Sequence, residues 1–407
     1  MPSAAIVSST FAALRHRNYR TWFIGQVFSL TGTWMQSAAE GYLLFELTKS
    51  PAYLGYVSFI GGLPTWLFTL YGGVIADRIP RRTLLIITQA VMMVLAFTLG
   101  VLAFTRLIAP WHIFVLAFFL GTANAFDAPA RQSFTVELVE REDLTNAISL
   151  NAAMFNIANI VGPAAGGLVY AWVGPGLCFT FNGLSFIAVI IALLWIRPPR
   201  FAPLRRQNAV ADIKESFQFI YKDSMVRFMM GAIGLVSMFA FSLLTLLPAW
   251  AVTVLGGDAR TNGILIAARG VGALLGALML AALAAHSIRG KLWMAGCFLI
   301  PIGMMVFSLI RSLPLAMLAL SVIGWSMIAL ANTTNALVQS HVPDHLRGRV
   351  MGIYTLIFLG LAPIGSLIIG WIAAWLGEPA ALQIFSLILL FFAVWVALRH
   401  PEIRALR

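Results

Sequence analysis

The sequence predicts an all-α membrane protein, with twelve transmembrane helices in two pseudo-symmetric six-helix bundles. Three observations carry this. First, 60% of the 407 residues are apolar and only 10% are charged, with a mean hydropathy of +0.89. So little charge cannot clothe a water-facing domain. Second, charged turns divide the chain into twelve apolar runs of membrane length. Third, the chain resembles itself at an offset of 203 residues: Gly121 falls on Gly324, Val139 on Val342, Gly162 on Gly365, Gly167 on Gly370, Trp172 on Trp375 and Gly174 on Gly377. Gly73 falls on Gly276, and the basic turn after it returns in eroded form as Ser287-Ile288-Arg289-Gly290-Lys291. Two parallel halves, 1–196 and 228–407, imply a pseudo-two-fold axis along the membrane normal and a central cavity.

Taken in order, Arg15, Arg17 and Arg20 precede span 1, about Thr21 to Phe45. Span 2 covers about Ala52 to Ala76, span 3 Thr83 to Thr105 and span 4 about Trp111 to Ala128. A polar segment with Glu137, Glu140, Arg141, Glu142 and Asp143 then leads to span 5, about Asn146 to Trp172, and span 6, Leu177 to Ile196. The linker 197–227 opens with Pro198-Pro199 and is rich in basic residues, and Val210, Ile213, Phe217 and Ile220 recur at helical spacing. That pattern reads either as an amphipathic helix on the membrane surface or as a solvated linker helix. Six more spans follow: about Phe228–Leu255, Thr261–Ala285, Leu292–Ile310, Leu315–Leu337, Val350–Leu376 and Ala380–Leu398.

Twelve spans place both termini on one side. Of the lysines and arginines, twenty-two lie on that side; Lys49, Arg106, Arg260 and Arg311 lie on the other, and Arg269 is inside a span. This asymmetry predicts cytoplasmic termini in an inner, cytoplasmic membrane. It also accounts for a net charge of +12 without a nucleic-acid partner. Cys178 and Cys297 sit in apolar runs and read as reduced core residues, and the first residues show no cleaved signal.

The turn between spans 2 and 3 reads Gly73-Val74-Ile75-Ala76-Asp77-Arg78-Ile79-Pro80-Arg81-Arg82. It resembles the loop between helices 2 and 3 of the major facilitator superfamily, Gly-x-x-x-Asp-Arg-x-Gly-Arg-Arg/Lys. Gly73, Asp77, Arg78, Arg81 and Arg82 match. Pro80 stands where the family has glycine, and proline cannot take the positive φ that glycine permits. The resemblance implies a conformational latch in which Asp77 faces the start of span 11 near Arg349, and Arg81 pairs with Asp127 at the end of span 4. The plainer alternative is that these are topogenic and capping residues. In span 5, Gly162-Pro163-Ala164-Ala165-Gly166-Gly167 resembles the Gly-Pro-x-x-Gly-Gly core typical of proton-coupled exporters in that superfamily, although Ala158 replaces the upstream glycine. Close helix packing alone would also use such residues; the expected partner is the Gly272/Gly276 pair of span 8. Leu14-Arg15-His16-Arg17-Asn18-Tyr19-Arg20, Gly25-Gln26, Trp34-Met35-Gln36, Leu47-Thr48-Lys49-Ser50-Pro51 and Asp127-Ala128-Pro129-Ala130-Arg131-Gln132 are similar to siderophore (enterobactin) exporters and macrolide-efflux relatives.

Charges within spans are scarce. Glu40, in the outer half of span 1, is a candidate proton carrier or an interfacial acid in water. Arg269 is a candidate substrate contact or a clamp between spans 5 and 8. By the resemblance, spans 1, 4, 7 and 10 surround the substrate path, which makes Gln26, Gln36, Asn124, Asn332 and Asn335 candidate lining residues; interhelical hydrogen bonding is the alternative for each. Trp22, Trp66, Trp250 and Trp325 read as packing or interface anchors. His341 and His345 straddle Pro343, which disfavours a metal site.

No phosphate loop and no converging nucleophile, base or metal set is present, so the reading is a carrier and not an enzyme. The expectation is a monomeric, proton-coupled exporter of siderophores, drugs or similar amphiphiles, embedded in the lipid bilayer, with protons as the energy source and no cofactor. A lipid or lysolipid flippase, a proton-coupled importer and a non-transporting receptor are the alternatives.

Overall fold

The computed structural model describes residues 11–196, 209–283 and 289–399. The side chains of Thr69, Leu70, Gly73, Val74, Ala76, Asp77 and 209–214 also lie outside that description. Thirteen α-helices and no strand occur among the described residues. They are α1 Arg17–Thr48, α2 Pro51–Arg78, α3 Arg81–Phe104, α4 Pro110–Glu137, α5 Leu144–Val173, α6 Pro175–Trp195, α7 Ala209–Lys222, α8 Ser224–Thr253, α9 Ala259–Ala282, α10 Arg289–Leu309, α11 Leu313–His341, α12 Asp344–Leu376 and α13 Glu378–Arg399. Ten of these are long and apolar enough to cross a bilayer. The twelve spans are completed by α1 and α2, of 32 and 28 residues, while α7 is the linker helix.

The local chemistry explains the boundaries. Proline opens α4, α6 and α11 at positions whose backbone N–H has no helical partner. Asp223 and Asp258 cap α8 and α9 by accepting from Val226 N at 2.9 Å and Thr261 N at 3.0 Å. Several ends differ from the sequence expectation, among them that of α12, which starts at Asp344 and not near Val350. Helix α4 continues past Pro129 to Glu137 where a polar segment was expected, and α11 runs on to His341. Charged residues do not end a helix that has already left the hydrocarbon. Helix α8 also contains a π-helical stretch, Ser237–Phe241, in place of a regular span.

The repeat seen in the sequence has structural counterparts. Gly174 and Gly377 join α5 to α6 and α12 to α13 with φ of 84° and 85°. Their ψ values, 176° and 158°, fall in a region that essentially only glycine occupies. A Cβ at Gly162 would lie 2.6 Å from Trp34 Cβ and 3.1 Å from Met35 N; one at Gly365, 203 residues later, would overlap the Met238 carbonyl, 203 residues after Met35.

The chain forms two compact units, Met1–Leu43 with Pro64–Arg205 and Leu44–Leu63 with Arg206–Arg407. In the first, Trp22 meets Phe134 edge to face at 5.3 Å in a core with Tyr19, Leu85 and Leu193. In the second, Trp250 stacks on Phe307 at 4.5 Å, and Trp293 Nε1 donates to Thr334 Oγ1 at 2.8 Å. Trp22 and Trp250 are thus core residues, whereas Trp66 is exposed.

Helix α2 is shared between the units. Its first part, up to Leu63, belongs with the second unit, and the division falls at Pro64 inside the helix. Segment Leu44–Leu63 seats on α12 through small residues: a Cβ at Gly55 would be 2.6 Å from Ser366 O, and one at Gly62 2.7 Å from Pro363 Cβ. Trp371 Nε1 donates to Tyr56 Oη at 2.8 Å, Ser58 Oγ lies 3.3 Å from Thr245 Oγ1, and Thr245 donates to Ser366 Oγ at 2.7 Å.

Of the linker, Pro198, Pro199 and most of the basic residues lie outside the described residues, as do the side chains of Val210 and Ile213. Helix α7 exposes Phe217 and Tyr221, buries Ser216 and joins Glu215 to Arg349 of α12 at 3.1 Å. Ser287 and Ile288 of the eroded turn are likewise outside.

Candidate functional site

The turn between α2 and α3 closes without a left-handed residue. Pro80, with φ −52° and ψ 121°, caps α3. An extended ψ therefore replaces the glycine geometry of the family pattern. Gly73 and Asp77 lie in the last turns of α2, but their side chains are outside the description, so the expected contact of Asp77 near Arg349 is too. Arg78 ends α2 exposed. Arg82 donates to Leu193 O at 2.7 Å and Leu194 O at 2.9 Å, meeting carbonyls that the end of α6 leaves open.

Arg81 forms its ion pair with Glu137, not with the expected Asp127. Helices α3 and α4 run antiparallel, with Arg81 level with Glu137 and Thr88 and Gln89 level with Asp127. The two turns from Arg81 to Thr88 span about 10 Å, too far for one guanidinium to bridge both levels. Asp127, only 1% exposed, accepts from Thr88 Oγ1 at 2.8 Å and Gln89 Nε2 at 3.0 Å, and Arg131 Nε stands at 3.4 Å. A buried carboxylate is tolerated where such donors surround it.

The glycine stripe of α5 packs differently from the expectation. Gly162 and Gly166 face α1: a Cβ at Gly162 would be 2.7 Å from Thr31 O, and one at Gly166 2.8 Å from Met35 O. Pro163 and Gly167 are buried beside them, and Cys178 Sγ reaches Gly166 O at 3.5 Å. Gly272 and Gly276 instead meet Ser321 and Trp325 of α11. Each small-residue face brings a neighbour of its own bundle close, because backbone-to-backbone approach needs a missing Cβ on one side only.

Glu40 stands on α1 one turn after Gln36, on the same face of the helix. Gln36 Oε1 accepts from Asn182 Nδ2 of α6 at 2.7 Å, and Asn182 Oδ1 lies 3.2 Å from Ser185 Oγ. Glu40 itself is half-buried. Gln26 is buried, and its Nε2 has no hydrogen-bond partner among the described residues. Asn124 of α4 and Asn332 of α11 are exposed, and Asn335 accepts from Gln339 Nε2 at 2.7 Å. Exposed amides on helices of membrane length call for water or a ligand, not lipid. Arg269 is 4% exposed and packs against α11, with its Cγ 3.1 Å from where a Cβ at Gly324 would be. The packing shown for it is within its own bundle.

Sequence reasoning passed over Asn182, Thr88, Gln89 and Glu137. Asn182 and Gln89 carried a usable signal, since each is an amide inside an otherwise apolar run. Glu137 carried none, because its partner is set by the register of two helices.

The family described as transmembrane secretion effectors matches the chain over residues 8–406. The multidrug efflux pump Tap of Mycolicibacterium fortuitum is 26% identical over 92% of this chain and 93% of its own length. The staphyloferrin A transporter of Staphylococcus aureus is 24% identical over 83% and 85% of the two chains, and the enterobactin exporter EntS of Salmonella typhimurium 24% over 96% and 94%. In fold, the chain is similar to a bacterial homologue of the human lysosomal transporter Spinster, with a TM-score of 0.74, 13% identity and coverage of 96% and 98%. The nucleoside transporter NupG has a TM-score of 0.73 at 13% identity, with coverage of 95% and 98%. A multi-pass chain with these helices, this internal repeat and this match from end to end belongs to the transmembrane secretion effector family of major facilitator transporters.

Proposed function

We propose that this chain is a secondary active exporter that expels siderophores, drugs or similar amphiphilic small molecules in exchange for protons, by alternating access across an inner membrane, with both termini cytoplasmic. The observation that carries the coupling is Glu40, a half-buried acid on a membrane-spanning helix, one turn from a hydrogen-bonded pair of buried amides. An ionisable group so placed is by default a candidate for proton coupling. The substrate class follows the relatives named as efflux pump, staphyloferrin A transporter and enterobactin exporter. Asp77, with Gly73, Arg78, Arg81, Arg82 and Asp127, is assigned the switching role by the family pattern. Asn124, Asn332, Asn335, Gln26 and Gln36 are the lining candidates, and Arg269 is a candidate substrate or carboxylate contact, or a structural clamp.

The test is uptake of siderophores, macrolides, dyes and lysolipids into inverted membrane vesicles, with and without an imposed proton gradient. Gradient-dependent accumulation, abolished in Glu40→Gln, is the expected result. Movement of lysolipid that ignores the gradient, or transport in the opposite direction, would replace the reading with a flippase or an importer. Asp77→Asn is expected to slow transport and change the population of states, as read by cysteine accessibility; unchanged rate and accessibility would remove the switching role.

A further inference from the structure

On α1, Ser29, Gly32, Gln36 and Glu40 recur at helical spacing and share one face. Across from them α6 presents Asn182 and Ser185. Gln36 and Asn182 are 3% and 2% exposed, so their amides must satisfy each other. The way they do so has a direction. Asn182 Nδ2 donates to Gln36 Oε1 at 2.7 Å, which turns the Gln36 oxygen toward α6. The NH2, on the other side of the planar amide, is then the part of Gln36 left to face Glu40 one turn on. Ser185 Oγ donates to the Asn182 backbone carbonyl at 2.7 Å and stands 3.2 Å from Asn182 Oδ1, beside the second amide. Gly32 makes the arrangement possible, because a Cβ there would fall 2.8 Å from Asn182 Oδ1 and 2.9 Å from Ser185 Oγ.

We propose that Asn182 and Gln36 are positioning residues for Glu40, an oriented amide relay between α6 and α1 that holds Gln36 as a donor to the Glu40 carboxyl. This rests on the reading of Glu40 as the coupling acid. A glutamine free to rotate offers its oxygen to a protonated carboxyl or its NH2 to an ionised one. The relay removes that choice, so gain of a proton at Glu40 alters a contact whose other end ties α6 to α1. Other titratable groups at this end of the first unit are Tyr42 and Tyr170, whose rings meet edge to face at 5.0 Å, and Cys178, turned to the Gly166 carbonyl. Glu46 is exposed beyond them on α1.

The experiment uses the full-length protein in liposomes. Infrared difference spectra recorded on acidification identify the Glu40 carbonyl band as the one lost in Glu40→Gln. Asn182→Ala, and independently Gly32→Ala, which displaces Asn182 without removing it, are expected to shift the frequency of that band. In inverted vesicles, gradient-driven accumulation of ethidium is expected to fall about tenfold in Asn182→Ala, the effect of one hydrogen bond to a charged group. It should fall no further when Asn182→Ala is added to Gln36→Leu. A band at the wild-type frequency in both variants, or losses that multiply in the double variant, would overturn the relay. Should Asn182→Ala fail to fold, Gly32→Ala and Gln36→Leu carry the same comparison. If wild type moves no ethidium under a gradient while the band still shifts, the exporter reading fails on this probe and the relay stands.

Discussion

Lys49 and Arg106 each follow a long helix with positive φ, 53° and 57°, where Gly256 holds a comparable φ of 62° in the second unit. At Arg106 the geometry is a Schellman ending, with Leu107 N donating to Leu102 O at 3.0 Å. An L side chain in this region costs about 1–2 kcal/mol, offset in part by the attraction of a cation to the negative end of the helix. Lys49→Gly and Arg106→Gly are each expected to raise stability by roughly 0.5–1 kcal/mol, allowing for the extra freedom glycine has when unfolded, as seen in the thermal midpoint of purified protein. Asp127 works in the opposite sense. Asp127→Ala strands the Gln89 amide in the helix interface, while the Thr88 hydroxyl falls back on the Leu85 carbonyl, and is expected to cost about 1–3 kcal/mol in the same assay. Arg131→Ala, on a partner that is one-third exposed, should cost well below that. Asp127 stood out in the sequence as an acid at the end of an apolar run; its neighbours did not. A contact across two helices depends on their sliding register, and no local pattern encodes a slide of two turns.

Among elements, the matched glycines give a comparison internal to one molecule. A Cβ at Gly162 would meet Trp34 Cβ at 2.6 Å and the Thr31 carbonyl at 2.7 Å, whereas one at Gly365 would overlap the Met238 carbonyl outright, at the π-helical stretch. No rotamer change moves either neighbour, so the deeper overlap decides. Gly162→Ala is therefore expected to cost about 1–3 kcal/mol, and Gly365→Ala more, as measured by thermal unfolding of the two variants side by side. Equal costs would show that α8 yields more readily at its π-helical stretch than α1 does beside Thr31. The spans themselves were legible, because twenty apolar residues between charges have one physical use. The π-helical stretch was not, since Ser237–Phe241 reads like any apolar helix and the extra residue is accommodated only where Gly365 and the Phe358 carbonyl meet it. The course of α4 beyond Ala128 was hidden for another reason. Hydropathy reports where a helix leaves lipid, and α4 continues past that point with Ala130 and Phe134 still in the bundle core.

At the scale of the whole molecule, the repeat at 203 residues was readable because glycines at close contacts and left-handed turns admit few substitutes, as Gly174 and Gly377 show. The allegiance of Leu44–Leu63 was not readable, for hydropathy says nothing about which bundle a span joins. That allegiance bears on how the molecule is made. A ribosome completes the loan long before the recipient exists: the segment is synthesised with the first bundle and waits, its glycine-lined face open, until α12 is inserted some three hundred residues later. The two halves produced as separate polypeptides, 1–205 and 206–407, are thus expected to depend on one another unequally. The first fragment keeps every helix of its own bundle, while the second lacks Tyr56 and Ser58, the partners of Trp371 and Thr245. Pulse-chase of the second fragment should show rapid degradation when expressed alone and rescue by co-expression of the first, with Gly55→Leu in the first fragment cancelling the rescue.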